Sequence, residues 1–417
     1  MSKKIFVYEN WTSREPNLIG TLYVDTQKGK EVFSFEYDDA WLKLGDKYII
    51  DPNLNYYTGR QFATNAGQLF GMFSDSAPDR WGRVLMNRRE AIIAQREERQ
   101  PRKLLESDYL LGVDDGARMG ALRFKIDKDG EFLSNDKDMA VPAWTHLREL
   151  EDAAKHFEDD ELSLDDRWIK QLLGPGSSLG GARPKASVKD VDGSLWIAKF
   201  PSKNDEYNMG AWEKVVHDLA RLCGLNVPES RLERFSNRGD TFLVKRFDRN
   251  GEDRIHFSSA MTMLNKTDGA SAEDGTSYLD IVGFIRTAGC NVNDDLVELW
   301  KRIVFSMAVC NTDDHLRNHG FVLNKAGWRL SPMYDVNPNP YSNGYLSLNV
   351  DDNDNRISLD LAANCAKYFG IKNNANEMIK EIVCTVNDNW ERIAKQYGIQ
   401  KSSVEMMRSA FALKYTR

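Results

Sequence analysis

Apolar and polar residues alternate near the amino terminus. Ile5-Phe6-Val7-Tyr8, positions 18–24 and positions 32–37 read as strands, with Phe33, Phe35 and Tyr37 on one face of the third. The chain is therefore expected to open with a small sheet. Over positions 78–99 the period lengthens to that of a helix: Trp81, Val84, Leu85, Ile92 and Ile93 lie among many arginines, and Pro101 is the stop. A polar run over 127–138 predicts a surface hairpin or short linker. A mostly helical stretch is predicted to run from Trp144 to about Lys170.

Positions 195–200 alternate again, 210–222 are patterned as a helix, and 242–249 read as a strand running into a connector. From about Ser258 helices dominate. One is expected over 279–288 and a strongly apolar one over 294–310, where Leu296, Leu299, Trp300, Ile303, Val304, Met307 and Ala308 keep helical spacing. Met378, Ile379, Ile382, Val383, Val386, Trp390 and Ile393 repeat it, and 404–415 predict a last helix. Between these helices, Phe321-Val322-Leu323 and Trp328-Arg329-Leu330 flank a glycine-containing turn, which predicts a short hairpin.

A chain of 417 residues exceeds one ordinary core and favours two or three lobes. We place the boundaries at 1–125, 126–250 and 251–417. Hydrophobic content of 41% with 29% charged residues fits a water-soluble globular protein, and the absence of a long apolar run or an apolar leader gives the expectation of a cytoplasmic protein with no membrane contact. Cys223, Cys290, Cys310, Cys365 and Cys384 show no paired spacing, so reduced, mostly buried thiols are expected. A net charge of -7 argues against an unaided grip on nucleic acid. The arginine-rich helix has two readings, a solvated helix with local salt bridges or a docking surface for an acidic partner or DNA backbone.

The chemistry gathers in Thr312-Asp313-Asp314-His315-Leu316-Arg317-Asn318, followed by the hairpin and then Tyr334-Asp335. Asp313 precedes Asn318 by five positions, the spacing of a protein-kinase catalytic loop, in which an aspartate orients a substrate hydroxyl and an asparagine binds metal. Phosphoryl transfer needs one group near the attacking oxygen and two oxygen ligands for Mg²⁺ on the phosphates, and Asp313, Asn318 and Asp335 supply such a set.

Upstream, Gly174-Pro175-Gly176-Ser177-Ser178-Leu179-Gly180-Gly181-Ala182-Arg183-Pro184-Lys185 leads into the strand that carries Lys199. Glycines let backbone N–H groups approach phosphate oxygens, and Arg183 and Lys185 add charge. The same run also reads as a flexible turn, since it matches neither the Walker nor the dinucleotide fingerprint. Lys199 shares a face with Leu195 and Ile197, where a kinase places its phosphate-binding lysine; the plain alternative is a snorkelling lysine on an edge strand. The strand end near Lys245 reads as a hinge for adenine or simply as a strand end.

Three other functions compete. Asp313, Asp314, His315, Asn318 and His319 could form a metal-hydrolase cluster, although they lack helical zinc spacing. A catalytically silent ATP-binding module and a nucleotidyl transferase would use the same residues.

Loop, lysine and acidic set together resemble the HipA family of bacterial serine/threonine kinases, toxins of HipBA-type toxin–antitoxin pairs. The resemblance extends to Leu18-Ile19-Gly20-Thr21-Leu22, Phe35-Glu36-Tyr37, Asp75-Ser76-Ala77-Pro78-Asp79-Arg80-Trp81-Gly82-Arg83, Tyr109-Leu110-Leu111-Gly112-Val113 and Arg118-Met119-Gly120-Ala121-Leu122-Arg123-Phe124. It implies an α+β, two-lobed, protein-kinase-like fold, with an amino-terminal lobe of sheet plus helices and an all-helical carboxy-terminal lobe. It also implies ATP and Mg²⁺ as cofactors, with Asp313 catalytic and Asn318 and Asp335 holding metal. Gly180, Gly181, Ala182, Arg183, Pro184, Lys185, Lys199, Lys245, Arg246, Phe247, His315, Leu316, Arg317, Asn318, Tyr334 and Asp335 would line the nucleotide. Autophosphorylation is implied at Ser178, with Ser177 as second candidate. The implied partners are a protein substrate of translation, with glutamyl-tRNA synthetase as the family precedent, and a helix-turn-helix antitoxin of HipB type that alone would contact DNA. Gly180-Gly181-Ala182-Arg183-Pro184 replaces a more frequent Ala-Gly-Ala-Gln-Glu run, and Asp314 stands where glycine is common.

Overall fold

The structure, a computed structural model, describes residues 2–44, 48–63, 68–134, 141–159, 172 and 183–415. Contacts divide the chain into two compact units, one of residues 1–203, 245–258 and 323–325, the other of 204–244, 259–322 and 326–417.

In the first unit, β1 (Lys3–Glu9), β2 (Asn17–Gln27), β3 (Lys30–Tyr37), β4 (Gln61–Phe62) and β5 (Leu122–Lys125) form an antiparallel sheet in the order β4-β3-β2-β1-β5. Period two sends neighbouring side chains to opposite faces, so Ile5, Val7, Leu22, Val24, Phe33 and Phe35 are buried together with Phe70, Phe73 and Phe124. Helices α1 (Asp39–Leu42) and α2 (Gly71–Asp75) contribute Trp41, Met72 and Phe73 to this core.

The arginine-rich helix α3 (Arg80–Arg96) starts where Asp79 caps it, its carboxylate accepting from the N–H of Gly82 at 2.7 Å. Arg83 pairs in a two-pronged fashion with Glu106 at the start of α4 (Glu106–Gly112), both contacts at 2.7 Å, and Arg99 reaches Glu90 at 2.6 Å. Local ion pairs therefore consume part of the basic face. Downstream, the helix predicted from Trp144 is a single 3₁₀ turn followed by α5 (Leu147–Asp159); its expected continuation towards Lys170 lies outside the described residues. Strands β6 (Lys185–Lys189) and β7 (Leu195–Lys199) then pair antiparallel.

Sequence reading did not foresee a buried ionic knot in this unit. Asp248 is fully buried and accepts from Arg246 Nε at 2.9 Å and Nη2 at 2.7 Å, from Arg249 Nη1 at 2.6 Å and from the backbone N–H of Gly120 at 2.8 Å. Burial alone would raise its carboxyl, but Arg246 and Arg249 outweigh it and hold the group well below the usual range. Arg246 also donates to the carbonyls of Ala117 at 2.6 Å and Arg118 at 3.1 Å. Arg118 serves the carbonyls of Ser76, Leu110 and Val113 at 2.8, 3.0 and 2.9 Å, and burial lowers its guanidinium to about 10. The predicted strand over the start of 242–249 gives way to its connector after Lys245, where Arg246 and Asp248 turn into this knot.

His256 is buried against the ring of Trp11, centroids 4.5 Å apart, and loss of hydration pushes it down to about 3. The folded chain resists protonating this ring while the unfolded chain takes a proton near 6.5, so its contribution is complete above pH 6.5 and drains away as pH falls towards 3. Equilibrium denaturation of a His256→Gln variant should show a flatter pH dependence across that window, by up to about 1.4 kcal/mol per pH unit. An unchanged slope would remove His256 as the cause.

In the second unit, α6 (Met209–Leu222) precedes β8 (Ser230–Glu233) and β9 (Thr241–Lys245), which pair antiparallel. There follow α7 (Ala260–Met263), α8 (Tyr278–Ala288), α9 (Val292–Ala308), the predicted hairpin of strands Gly320–Asn324 and Gly327–Leu330, whose residues 323–325 count with the first unit, then α10 (Leu359–Cys365), α11 (Ala375–Gln396) and α12 (Lys401–Met407). Helical spacing on α9 and α11 buries Leu299, Trp300, Ile303, Ile379, Val383 and Trp390, as read from the sequence. The helix expected over 404–415 instead begins at Lys401 and tightens after Met407 into a 3₁₀ turn, Arg408–Phe411, which stacks Phe411 on Trp390 at 4.5 Å. All five cysteines are free thiols, but only Cys365 is buried and Cys290 is exposed, contrary to the expected burial. No helix among the described residues is long and apolar enough to cross a membrane.

Candidate active site

Helix α9 delivers the chain to the acidic loop. It ends at Val309, Cys310 takes a left-handed backbone with φ of 55°, and the N–H of Asn311 turns back to the carbonyl of Ser306 at 2.8 Å. The next residues are pinned from the far side of the loop. Asn339 Nδ2 donates to Thr312 Oγ1 at 2.7 Å, and Ser347 Oγ donates to the carbonyl of Thr312 at 2.7 Å.

Asp313 and Asp314 then point in opposite senses. Asp313 is exposed. Partial loss of hydration pushes its carboxyl up; nearby His315 opposes this, while the negative charges of Asp335 and Asp314 add to it. Asp314 is buried, accepting from the hydroxyl of Tyr278 at 2.7 Å, with His319 Nε2 at 2.9 Å and Ser306 Oγ at 3.4 Å. Burial alone would raise this carboxyl, but His319, Tyr278 and His315 together hold it below the usual range, and Asp314 in turn helps burial raise Tyr278. The residue that replaces a common glycine is thus the anchor that fixes its exposed neighbour, a role without a signal in residue spacing. Tyr278 could not be found from sequence either, because it reads only as an apolar position at a helix start.

Asn318 Nδ2 donates to the backbone carbonyl of Asp313 at 2.8 Å, which closes the loop on itself and leaves the side-chain carbonyl oxygen as the group a cation would use. His315, Leu316 and Arg317 form the turn between; Leu316 is buried, and the carbonyl of Arg317 accepts from the hydroxyl of Tyr334 at 2.8 Å. That contact brings Tyr334-Asp335 to the loop. Asp335 is half-buried, with φ of 57° in the left-handed region, a conformation that aspartate tolerates better than most side chains. Two hard oxygen donors from Asn318 and Asp335 fit magnesium, which favours few protein ligands alongside phosphate and water. Among the described residues no group of three or more His, Cys, Asp or Glu side chains is placed to hold a metal ion, so the hydrolase-cluster reading gains no support.

The first unit carries the other candidates. Leu195, Ile197 and Lys199 share the half-buried face of β7, while Trp196, Ala198 and Phe200 are fully buried on the other. Lys185 lies directly opposite Lys199 in the ladder. It was expected to lend charge to a phosphate loop, but its ammonium is buried and paired with Asp79 at 3.0 Å, an arrangement that offsets like charges facing each other across two strands. Pro184 is buried, and Arg183 donates to the carbonyl of Phe200 at 3.2 Å. At the expected hinge, the N–H of Arg246 already donates to the carbonyl of Leu195 at 2.8 Å and its side chain belongs to the ionic knot, leaving Lys245 and Phe247 as the half-exposed members. Ser177, Ser178, Gly180, Gly181 and Ala182 lie outside the described residues.

Residues 177–390 match the family described as the HipA-like C-terminal domain. The chain belongs to the HipA-like family. Its relatives include a protein of Haemophilus influenzae whose name proposes a kinase, 28% identical over 42% of this chain and 56% of that protein. The Sinorhizobium fredii protein Y4mE, also named as a proposed kinase, is 28% identical over 38% of this chain and 41% of its own length. The HipA-like chain thus spans about half the length of the curated relatives it matches. In fold it is similar to HipA of Shewanella oneidensis, solved with HipB and operator DNA, with a TM-score of 0.68 and 17% identity over 97% of this chain and 96% of that one. The resemblance read from the motifs and the α+β architecture both agree with these matches.

Proposed function

We propose that this HipA-like chain transfers the γ-phosphate of ATP to a serine or threonine hydroxyl of a protein. The observation that carries the reading is the pairing of an exposed Asp313 with Asn318 and Asp335 on one pinned loop system, anchored by a buried Asp314. In this reading Asp313 accepts a hydrogen bond from the attacking hydroxyl and aligns it in line with the phosphorus. Asn318 and Asp335 would hold magnesium, which when bound neutralises phosphate charge. Lys199 balances charge on the α- and β-phosphates, and main-chain groups at Lys245 and Phe247 meet the base. Arg183, Pro184, His315, Leu316, Arg317 and Tyr334 belong to this proposal through their backbones and packing. Lys185 is left to its pair with Asp79.

The finer assignments rest on family likeness. Autophosphorylation at Ser178, or Ser177, would add nearly two negative charges beside the ATP phosphates and shut the enzyme off by repulsion. A HipB-type antitoxin is the proposed partner, supported by the HipB and operator DNA present with the Shewanella protein, and DNA would be met only through it. A translation protein is the proposed substrate and the cytoplasm the proposed compartment.

Incubation with ATP labelled at the γ or the α position tests the reaction. Label from the γ position on protein is expected. Label from the α position means nucleotidyl transfer, and retained ATP binding without label means a silent binding module. Lys199→Met should lower kcat/KM for ATP by about 10²-fold, the usual loss for one charge-stabilising donor. A wild-type value in that variant would release Lys199 from the site.

A further inference from the structure

We infer that Arg246 is the positioning residue that sets the choice between ATP and GTP, because its buried guanidinium fixes the backbone of 245–247 that meets the base; the inference rests on the kinase reading above. Arginine carries five N–H donors in a rigid planar fork, and here each of them has a partner. Nε donates to Asp248 Oδ1 at 2.9 Å, and Nη2 to Asp248 Oδ2 at 2.7 Å and to the carbonyl of Arg118 at 3.1 Å. Nη1 donates to the carbonyl of Ala117 at 2.6 Å and to Ser187 Oγ at 3.1 Å. The backbone N–H of the same residue is held by the carbonyl of Leu195 at 2.8 Å. A residue bound through both main chain and side chain leaves its neighbours, Lys245 and Phe247, little backbone freedom.

Stability alone does not call for such a fork. Desolvating a buried ion pair costs about what its attraction returns, so well-packed apolar side chains of similar volume would hold the interior as firmly. What the fully bonded fork adds is a fixed position.

Its contacts fall on the two strands that carry the phosphate candidates. Ser187 lies in β6, which starts at Lys185 as the chain leaves the glycine-rich stretch, and Leu195 opens β7, which ends at Lys199. The run from Leu195 to Lys199 spans about 13 Å at the rise of an extended strand, comparable to the length of an extended nucleoside triphosphate. One end of β7 therefore holds the base-side backbone, and the other carries the lysine assigned to the α- and β-phosphates. A ligand gripped at both ends is sensitive to their spacing, and a misplacement of about 1 Å in such an arrangement can cost about 10²-fold. Adenine presents an amino group where guanine presents a carbonyl. Main-chain groups can tell the two apart only if the backbone that carries them does not adjust.

The test is equilibrium binding of ATP and of GTP, each with Mg²⁺, to the full chain. Arg246→Met is the informative change, because the interior stays charge-paired without the fork. Asp248 keeps Arg249 Nη1 at 2.6 Å and the N–H of Gly120 at 2.8 Å, and the carbonyl of Arg118 keeps Arg249 Nη2 at 2.7 Å. The variant should bind ATP about 10-fold more weakly while GTP changes little, so that the preference for ATP falls by the same factor. Lys199→Met, at the phosphate end, should weaken both nucleotides alike and leave the preference as it was. Ser187→Ala removes one contact of the same fork and should lower the preference by about 2- to 3-fold, the loss for a single hydrogen bond; if Arg246→Met fails to fold, this variant decides. An unchanged preference in the deciding variant, an equal loss of both nucleotides, or a wild-type chain that binds ATP and GTP equally overturns the role of Arg246 while leaving the kinase reading standing. A wild-type chain that binds neither nucleotide overturns the kinase reading itself, and the inference with it.

Discussion

Asparagine in place of Asp313 will cut γ-phosphate transfer by about 10²- to 10⁴-fold, the range for losing a positioned proton acceptor, while the protein melts at the wild-type temperature. The fold should tolerate the change because the loop is held by other atoms. Thr312 is pinned by Asn339 and Ser347, Asn318 binds the backbone carbonyl of Asp313, and the buried carboxylate that ties the loop to α8 is that of Asp314. Asp335→Asn is the matching test of the metal position: asparagine accepts the left-handed backbone found there but removes the charge that would meet a divalent cation. Transfer measured with γ-labelled ATP, beside a thermal melt, separates lost chemistry from lost structure. Undiminished labelling in the Asp313→Asn protein would falsify the catalytic assignment.

Alanine in place of Asp248 will act on stability instead. Its carboxylate meets Arg246 and Arg249 where both guanidinium groups are buried, and burial already pushes Arg249 down to about 9. Removing it leaves two cations uncompensated away from water, a loss of about 3–5 kcal/mol for a broken buried pair. For a unit of this size that is roughly a 10 °C fall in melting temperature. The wild-type contribution also has a pH signature. The Asp248 carboxyl is depressed in the fold, so the stability it adds is complete above the unfolded value near 3.8 and is lost as pH falls below it. Thermal melts at neutral pH check the first point and melts between pH 5 and 2 the second; a variant that melts within about a degree of wild type would show the knot to be dispensable.

Much of the fold could be read from the chain because its elements obey simple periods. The strands of the opening sheet alternate over most of their length, and α9 and α11 keep apolar stripes at helical spacing, so local pattern and final burial largely agree. The proposed set of Asp313, Asn318 and Asp335 can be picked out along the chain because only a short loop and a hairpin separate its members. Long-range polar contacts were not legible. Asp314 meets Tyr278 from 36 positions away and Lys185 meets Asp79 from 106 away, and neither pair leaves a periodic trace. Lys185 shows the consequence most clearly. Its position beside the glycines suggested phosphate, but strand pairing turned it inward towards a carboxylate.

That carboxylate serves two masters. One oxygen of Asp79 receives the N–H of Gly82 in the first turn of the arginine-rich helix α3, and the other receives the ammonium of Lys185 at the start of β6. The same side chain therefore caps a helix and neutralises a buried ammonium. The first turn of α3 and the start of β6 are joined through one carboxylate.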